Sequence, residues 1–185
     1  MRTAWRGRRS SRTGSAFEYS HMKKRMAAGA AAVCVLAGSA EAHHSFAMYD
    51  LNKTYVMTGV VVRVDPNPNH LQIFFAPLNE ARDQVLRDGK GEPVVWALER
   101  AAASVVARDG VTVNAFPRGT IISVGPHPLR NGFPSGGRGE SGLFECPNDT
   151  PPAPGKHCDS VKGSTSHGKG VLPRPTGRAP TPRPR

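Results

Sequence analysis

Two adjacent histidines, His43 and His44, follow the tripeptide Ala40-Glu41-Ala42. That tripeptide has the small-residue A-x-A form of a signal-peptide cleavage site. Cleavage after Ala42 would free an α-amine on His43. The amine and the imidazole Nδ1 of an N-terminal histidine can close a chelate ring on one metal ion. His44, His70 or His127 could add a further nitrogen. Nitrogen donors suit Cu(II), which heads the divalent affinity order. An α-amine titrates at about 7.7–8.0 and an imidazole at about 6.5, so few protons compete with a metal near neutrality. A cut after Ala40 would instead put His43 in third position, where the amine, two backbone amides and the ring can bind Cu(II) or Ni(II). Copper is therefore the cofactor expectation, with His43, His44, His70 and His127 as candidate ligands. The competing reading is that the terminus simply frays, that His44 pads the first strand, and that His70 and His127 are surface turn residues.

Other chemistry-bearing residues are fewer. Cys146 and Cys158 survive cleavage, and in an oxidising compartment a disulfide between them is the expectation. A zinc site is the rival, and it would need His157 and a fourth ligand. Glu99 is a lone carboxylate at a strand-to-helix junction, either a helix-start cap or an oxygen ligand. Met48 and Met57 are soft enough for Cu(I), with Met57 assigned to packing. Ser135-Gly136-Gly137-Arg138-Gly139 is glycine-rich, but no helix pattern follows to bind phosphate. G-x-S-x-G, H-E-x-x-H and C-x-x-C are absent. A redox enzyme on a histidine-ligated copper would also need an open metal position and a substrate groove, and no residue pattern points to a substrate. The sequence favours a protein that is not an enzyme. Its alternative to metal binding is a non-catalytic periplasmic protein-interaction module.

The elements around these residues begin with a leader. Lys23, Lys24 and Arg25 precede an Ala-rich apolar run, Met26 to Gly38, and then the cleavage tripeptide. This order defines a signal peptide over 22–42. The run is shorter than the roughly 20 residues a membrane span needs. Residues 1–21 are Arg- and Ser-rich and read as an extended or mis-called leader. The mature chain is expected in the periplasm or secreted, with no transmembrane segment.

The net charge of +11 first suggests nucleic acid. Its distribution removes that partner. Residues 1–42 carry eight Lys/Arg and two Asp/Glu, whereas 43–158 carry eleven of each. The remaining excess lies in 159–185, with six Lys/Arg and one Asp. The segment able to fold is neutral, and a nucleic-acid reader needs its basic patch on a folded surface. Residues 147–185 are Pro/Gly-rich and basic. They have too little apolar surface to offset chain entropy and are expected to be a disordered tail, at most a tether to anionic surfaces.

Within 43–146, Val56, Thr58, Val60, Val62 and Val64 alternate onto one face of a strand, with Gly59 suggesting a bend or bulge. Leu71, Ile73 and Phe75 alternate on a second strand, with His70, Gln72 and Phe74 facing the other way. Residues 77–92 read as a long hairpin loop, and Val94, Trp96 and Leu98 as a third strand. A helical period over 99–109 places Ala102, Val105 and Val106 on one face, with Gly110 as its stop. Gly119 to Val124 is a fourth strand, Pro126 to Gly132 a turn, and Gly142 to Cys146 a weak fifth strand. The fold class expected is mainly β: a small five-stranded OB-like barrel with one short helix. A split sandwich is the alternative.

These pieces resemble a family of small exported bacterial proteins of unknown function. Its mature chains begin Ala-His-His-Ser-Phe, as Ala42-His43-His44-Ser45-Phe46 does. Tyr49-Asp50, Lys53, Gly59-Val60-Val61 and the pair Trp96 and Glu99 match further positions. The family's Asn-Pro-His turn reads Asn67-Pro68-Asn69-His70 here, with one extra residue. Its Gly-His-Pro turn reads Gly125-Pro126-His127-Pro128, also with an insertion. The resemblance spans roughly residues 42–132. It implies an OB-like periplasmic protein and supplies no activity.

Overall fold

The computed structural model describes residues 47–137, 142–168 and 170–179. The leader, the cleavage tripeptide, His43 and His44 lie outside them. Eight strands make one sheet: β1 (Met57–Asp65), β2 (Gln72–Pro77), β3 (Trp96–Glu99), β4 (Ile121–Val124), β5 (His127–Pro128), β6 (Ser135–Gly137), β7 (Leu143–Glu145) and β8 (Thr165–Ser166). Their order is β5-β6-β3-β2-β1-β4-β7-β8. All neighbours are antiparallel except β3 and β6, which run parallel.

The sheet is open, which corrects the five-stranded barrel. Closure requires the first and last strands to pair. Here the outermost strands are two residues long, and they end opposite edges.

Alternation in β2 and β3 builds the core. Leu71, just before β2, packs with Ile73, Phe75, Trp96 and Leu98, all at most 4% exposed. On β1 the expected face is wrong. Met57 and Val61 point into this core, while Val60 and Val62 are only partly buried. A register shift between Val61 and Arg63 then returns Val64 to the core side. An extra residue at that point turns the following side chains over. Gly59 is not the bulge. It is a close approach, since a Cβ there would lie 2.6 Å from the Ala76 carbonyl oxygen. The helix is shorter than expected, α1 (Ala103–Val106) followed by a 3₁₀ turn over Ala107–Asp109. Val106 is buried and Val105 half exposed, and Gly110 ends the turn at φ 78°.

The opposite face carries a second, smaller cluster. Thr58 pairs with Ser123 and Val60 with Ile121 across β1 and β4. Ile121, Cys146 and Cys158 pack there, with Val60, Phe144 and Val161 around them. Cys146 and Cys158 form the expected disulfide, which rules out the zinc reading, because zinc needs the thiolates.

The segment after β7 is not a disordered tail over its described residues. Two 3₁₀ turns (Pro147–Asp149 and Cys158–Ser160) and β8 lie along the sheet. Gly142 donates to the Val171 carbonyl at 2.9 Å, and Thr176 to the Thr54 carbonyl at 3.0 Å. Its order comes from the disulfide and from hydrogen bonds to the domain. It has no core of its own, and composition registers only apolar burial. Among the described residues, no helix is long and apolar enough to cross a membrane.

Candidate functional site

His70 and His127 belong to the half of the sheet that ends at β5. His70 lies in the β1–β2 turn, on the side away from Ile73. Its Nδ1 is 3.3 Å from Glu99 Oε1, with both side chains partly exposed. Glu99 ends β3 and is neither a helix cap nor solitary, because α1 starts four residues later and the carboxylate faces His70. Glu99 pairs with Gly137, and Gly137 pairs with His127. Paired residues project to one face, so Glu99 and His127 stand in one row, two strand spacings or roughly 9–10 Å apart between backbones.

Gly137 leaves the space between them to Tyr49. A Cβ at Gly137 would lie 2.8 Å from Tyr49 Oη and 3.1 Å from Glu99 Cβ. Any other residue would push the phenol out. Tyr49 is 1% exposed and bridges Leu129 beyond β5. His127, expected in a turn, is instead strand β5, held by this N-terminal segment through Asp50 N–H to Pro128 O and Tyr55 N–H to Pro126 O.

The hydrogen bond of the His127 ring sets its tautomer. His127 Nδ1 is 2.7 Å from the Lys53 carbonyl oxygen and 3.4 Å from Thr54 Oγ1. A carbonyl only accepts, so Nδ1 carries the proton and, in the neutral ring, Nε2 keeps a lone pair. His70 Nδ1 only lies at ion-pair distance from the Glu99 carboxylate, whereas the His127 ring is fixed by its hydrogen bond. Ligating histidines are commonly oriented in this way, by a carboxylate or backbone carbonyl on the other ring nitrogen. The turn that supplies the Lys53 carbonyl is closed by Lys53 N–H to Asp50 O and by the Lys53–Asp50 ion pair at 3.1 Å. The bond from the Lys53 side chain holds the Asp50 carboxyl below its ordinary range.

Among the described residues, no three His, Cys, Asp or Glu side chains are grouped to hold a metal ion. His70 and His127 therefore do not form a complete site by themselves. Met57 is buried, as packing requires, and Met48 is half exposed. Ser135–Gly137 of the glycine-rich run is strand β6, not a phosphate loop. Sequence reading gave no role to Tyr49, the Lys53 carbonyl or Thr54. The one signal for them was that Tyr49-Asp50 and Lys53 recur in the resembling family.

Two histidines of the segment expected to be disordered are anchored instead. His167 is 9% exposed, donates from Nε2 to Glu145 Oε2 at 2.9 Å, and packs at a tilt against Phe116, 4.7 Å between ring centres. His157 is half-buried, with Nδ1 2.8 Å from Thr58 Oγ1.

The architecture is thus a mainly β protein: one open sheet with a polar histidine row at one end and a disulfide-bonded segment across the other. Residues 31–138 match a family of unknown function (DUF6152), and the chain belongs to that family. No curated protein and no solved structure matches it. The disulfide, β7 and β8 lie beyond the matched region.

Proposed function

We propose that the protein is exported, is cut after Ala42, and binds a transition metal, copper preferred, through His43 and His44. His70 or His127 then supplies a further nitrogen. The observation that carries this reading is the tautomer set at His127. Its Nδ1 is committed to the Lys53 carbonyl oxygen, and in the neutral ring Nε2 is left with a lone pair. The donor chemistry fits Cu(II), which favours imidazole and amine nitrogen. When bound, the metal would supply either storage or a redox centre, while this chain's residues orient the nitrogens.

The test is titration of the mature protein with Cu(II), followed by spin-resonance spectroscopy, on material whose N-terminus has been verified by mass spectrometry. One tight site is expected, with a nitrogen-rich spectrum that changes in His43→Ala. Absence of a tight site, or an identical spectrum in that variant, would overturn the proposal.

A non-catalytic interaction module is the second reading. Met48 and Leu51 are each 47% exposed and Phe133 is 51% exposed. Met48 and the Phe133 turn are joined by Arg130 N–H to Met48 O. Large apolar side chains exposed on joined segments suit a protein partner. Crosslinking in intact cells, followed by purification, decides it, and a strictly solitary protein counts against it.

A further inference from the structure

Residues 53–55 are gripped from two directions. On one side the Lys53 carbonyl accepts the Nδ1 proton of His127 at 2.7 Å, with Thr54 Oγ1 at 3.4 Å. On the other side Thr176 makes a reciprocal pair with Thr54. Thr54 N–H donates to Thr176 Oγ1 at 2.9 Å, and Thr176 N–H donates to the Thr54 carbonyl at 3.0 Å. Thr54 is 7% exposed, so water has little access to these groups. The next residues add contact. A Cβ on Gly177 would lie 3.5 Å from Tyr55 Cε1, and Ala179 packs against the main core. Thr176 lies 38 residues beyond the end of the matched family region at residue 138.

We propose that residues 170–179 form a strap that sets the tautomer and orientation of His127, with Thr176 as its positioning residue. This rests on the metal reading of His127 for its functional meaning. The physical step does not. If Thr176 lets go, the buried Thr54 N–H loses its acceptor and the 53–55 backbone must move to find another. The Lys53 carbonyl moves with it. His127 then loses the acceptor that keeps the proton on Nδ1, and its Nε2 lone pair is no longer held in one direction. Groups that orient a metal-ligating histidine typically change affinity by about 10–100-fold when removed. Thr176 acts one bond further out, so a smaller change is expected. In this way a segment outside the matched family region tunes a histidine inside it.

The experiment uses the full mature chain and the variants Thr176→Val and Thr176→Ser. Valine keeps the shape and removes the acceptor, and serine retains the hydroxyl. Two readouts are taken. One is the imidazole ¹⁵N spectrum of His127 in metal-free protein at a pH where the ring is neutral. The other is Cu(II) affinity by competition titration. Wild type and Thr176→Ser are expected to show the Nδ1–H tautomer, and Thr176→Val a mixture of tautomers. Copper affinity in Thr176→Val is expected to fall about five- to tenfold. A wild-type tautomer and wild-type affinity in Thr176→Val would overturn the strap while leaving the metal reading intact. Absence of a copper site in wild type would overturn the metal reading, and the nitrogen spectrum would still decide the strap. An Nε2–H tautomer in wild type would overturn the strap directly.

Discussion

The histidines of the β5 end and those of the C-terminal segment use the same ring for opposite ends. At the β5 end, His127 gives its Nδ1 proton to the Lys53 carbonyl oxygen and keeps a lone pair on Nε2, while the half-exposed His70 faces the Glu99 carboxylate. In the C-terminal segment, His157 and His167 turn ring nitrogens inward to polar groups of the sheet. His157 Nδ1 meets Thr58 Oγ1, Thr58 Oγ1 meets Ser123 Oγ at 2.7 Å, and Ser123 Oγ accepts the Cys158 N–H at 2.9 Å. Thr58 and Ser123 are fully buried. The difference lies in where the hydrogen bond leads. A bond to an acceptor at the surface orients a ring for something outside. A bond into a buried chain fastens the segment that carries the ring.

If the C-terminal segment is fastened structure, loosening it must cost stability that the β5 end does not share. The largest effect is expected from the disulfide, which closes a loop of sequence separation 12. Replacing both Cys146 and Cys158 by Ser should lower stability by about 2–4 kcal/mol, read from urea denaturation. Unchanged stability would mean that the segment contributes no hold on the sheet, and the comparison would fail.

The next test sets one histidine from each region against the other. His167→Ala removes a part-buried bond to Glu145 and the packing on Phe116. It should destabilise by about 2 kcal/mol. His70→Ala removes a pair whose side chains are 48% and 21% exposed. Solvent screening limits its cost to about 0.5 kcal/mol or less. Equal costs for the two variants would show that the regions do not differ in kind.

Much of this contrast was hidden from the sequence for stated reasons. The strands through Ile73, Phe75, Trp96 and Leu98 were legible because their apolar residues alternate without interruption. The face of β1 was misread because the register shift after Val61 reverses the alternation, and nothing in a run of four valines and a glycine marks where. β5 and β6 were hidden because His127-Pro128 and Ser135-Gly136-Gly137 have the composition of turns. They are strands because Tyr49 and the parallel pairing with β3 hold them there. The C-terminal segment was misread for another reason. Many of its partners are far away in sequence, 35 residues for Cys158 with Ser123 and 122 for Thr176 with Thr54. Hydrogen bonds of that span leave no periodic trace. Of the proposed site, the histidines themselves were legible, and the groups that orient their rings were not.

The smallest effect expected is a pH dependence, and it tests the inner chain of hydroxyls most directly. The Cys158 N–H can only donate, so Ser123 Oγ accepts it. Every proton in the chain finds an acceptor if Ser123 donates to Thr58 and Thr58 donates to a lone pair on His157 Nδ1. That arrangement needs a neutral ring. Protonating His157 would reverse the Thr58 hydroxyl and leave the buried Ser123 proton facing no acceptor in the chain. Burial and, next, the nearby Arg82 charge hold the His157 pKa below its ordinary 6.5, while Asp159 pulls the other way. Because the unfolded chain then binds a proton more readily than the fold, stability rises with pH across this interval. The contribution is full above about pH 6.5 and is lost as pH falls through the lower folded-state value. His157→Gln keeps an acceptor for Thr58 but cannot titrate, so its stability should decline less between pH 7.5 and pH 5 than that of wild type. Urea midpoints at the two pH values measure this. Parallel declines in the two proteins would place the titrating group elsewhere and leave His157 as an ordinary surface-facing ring.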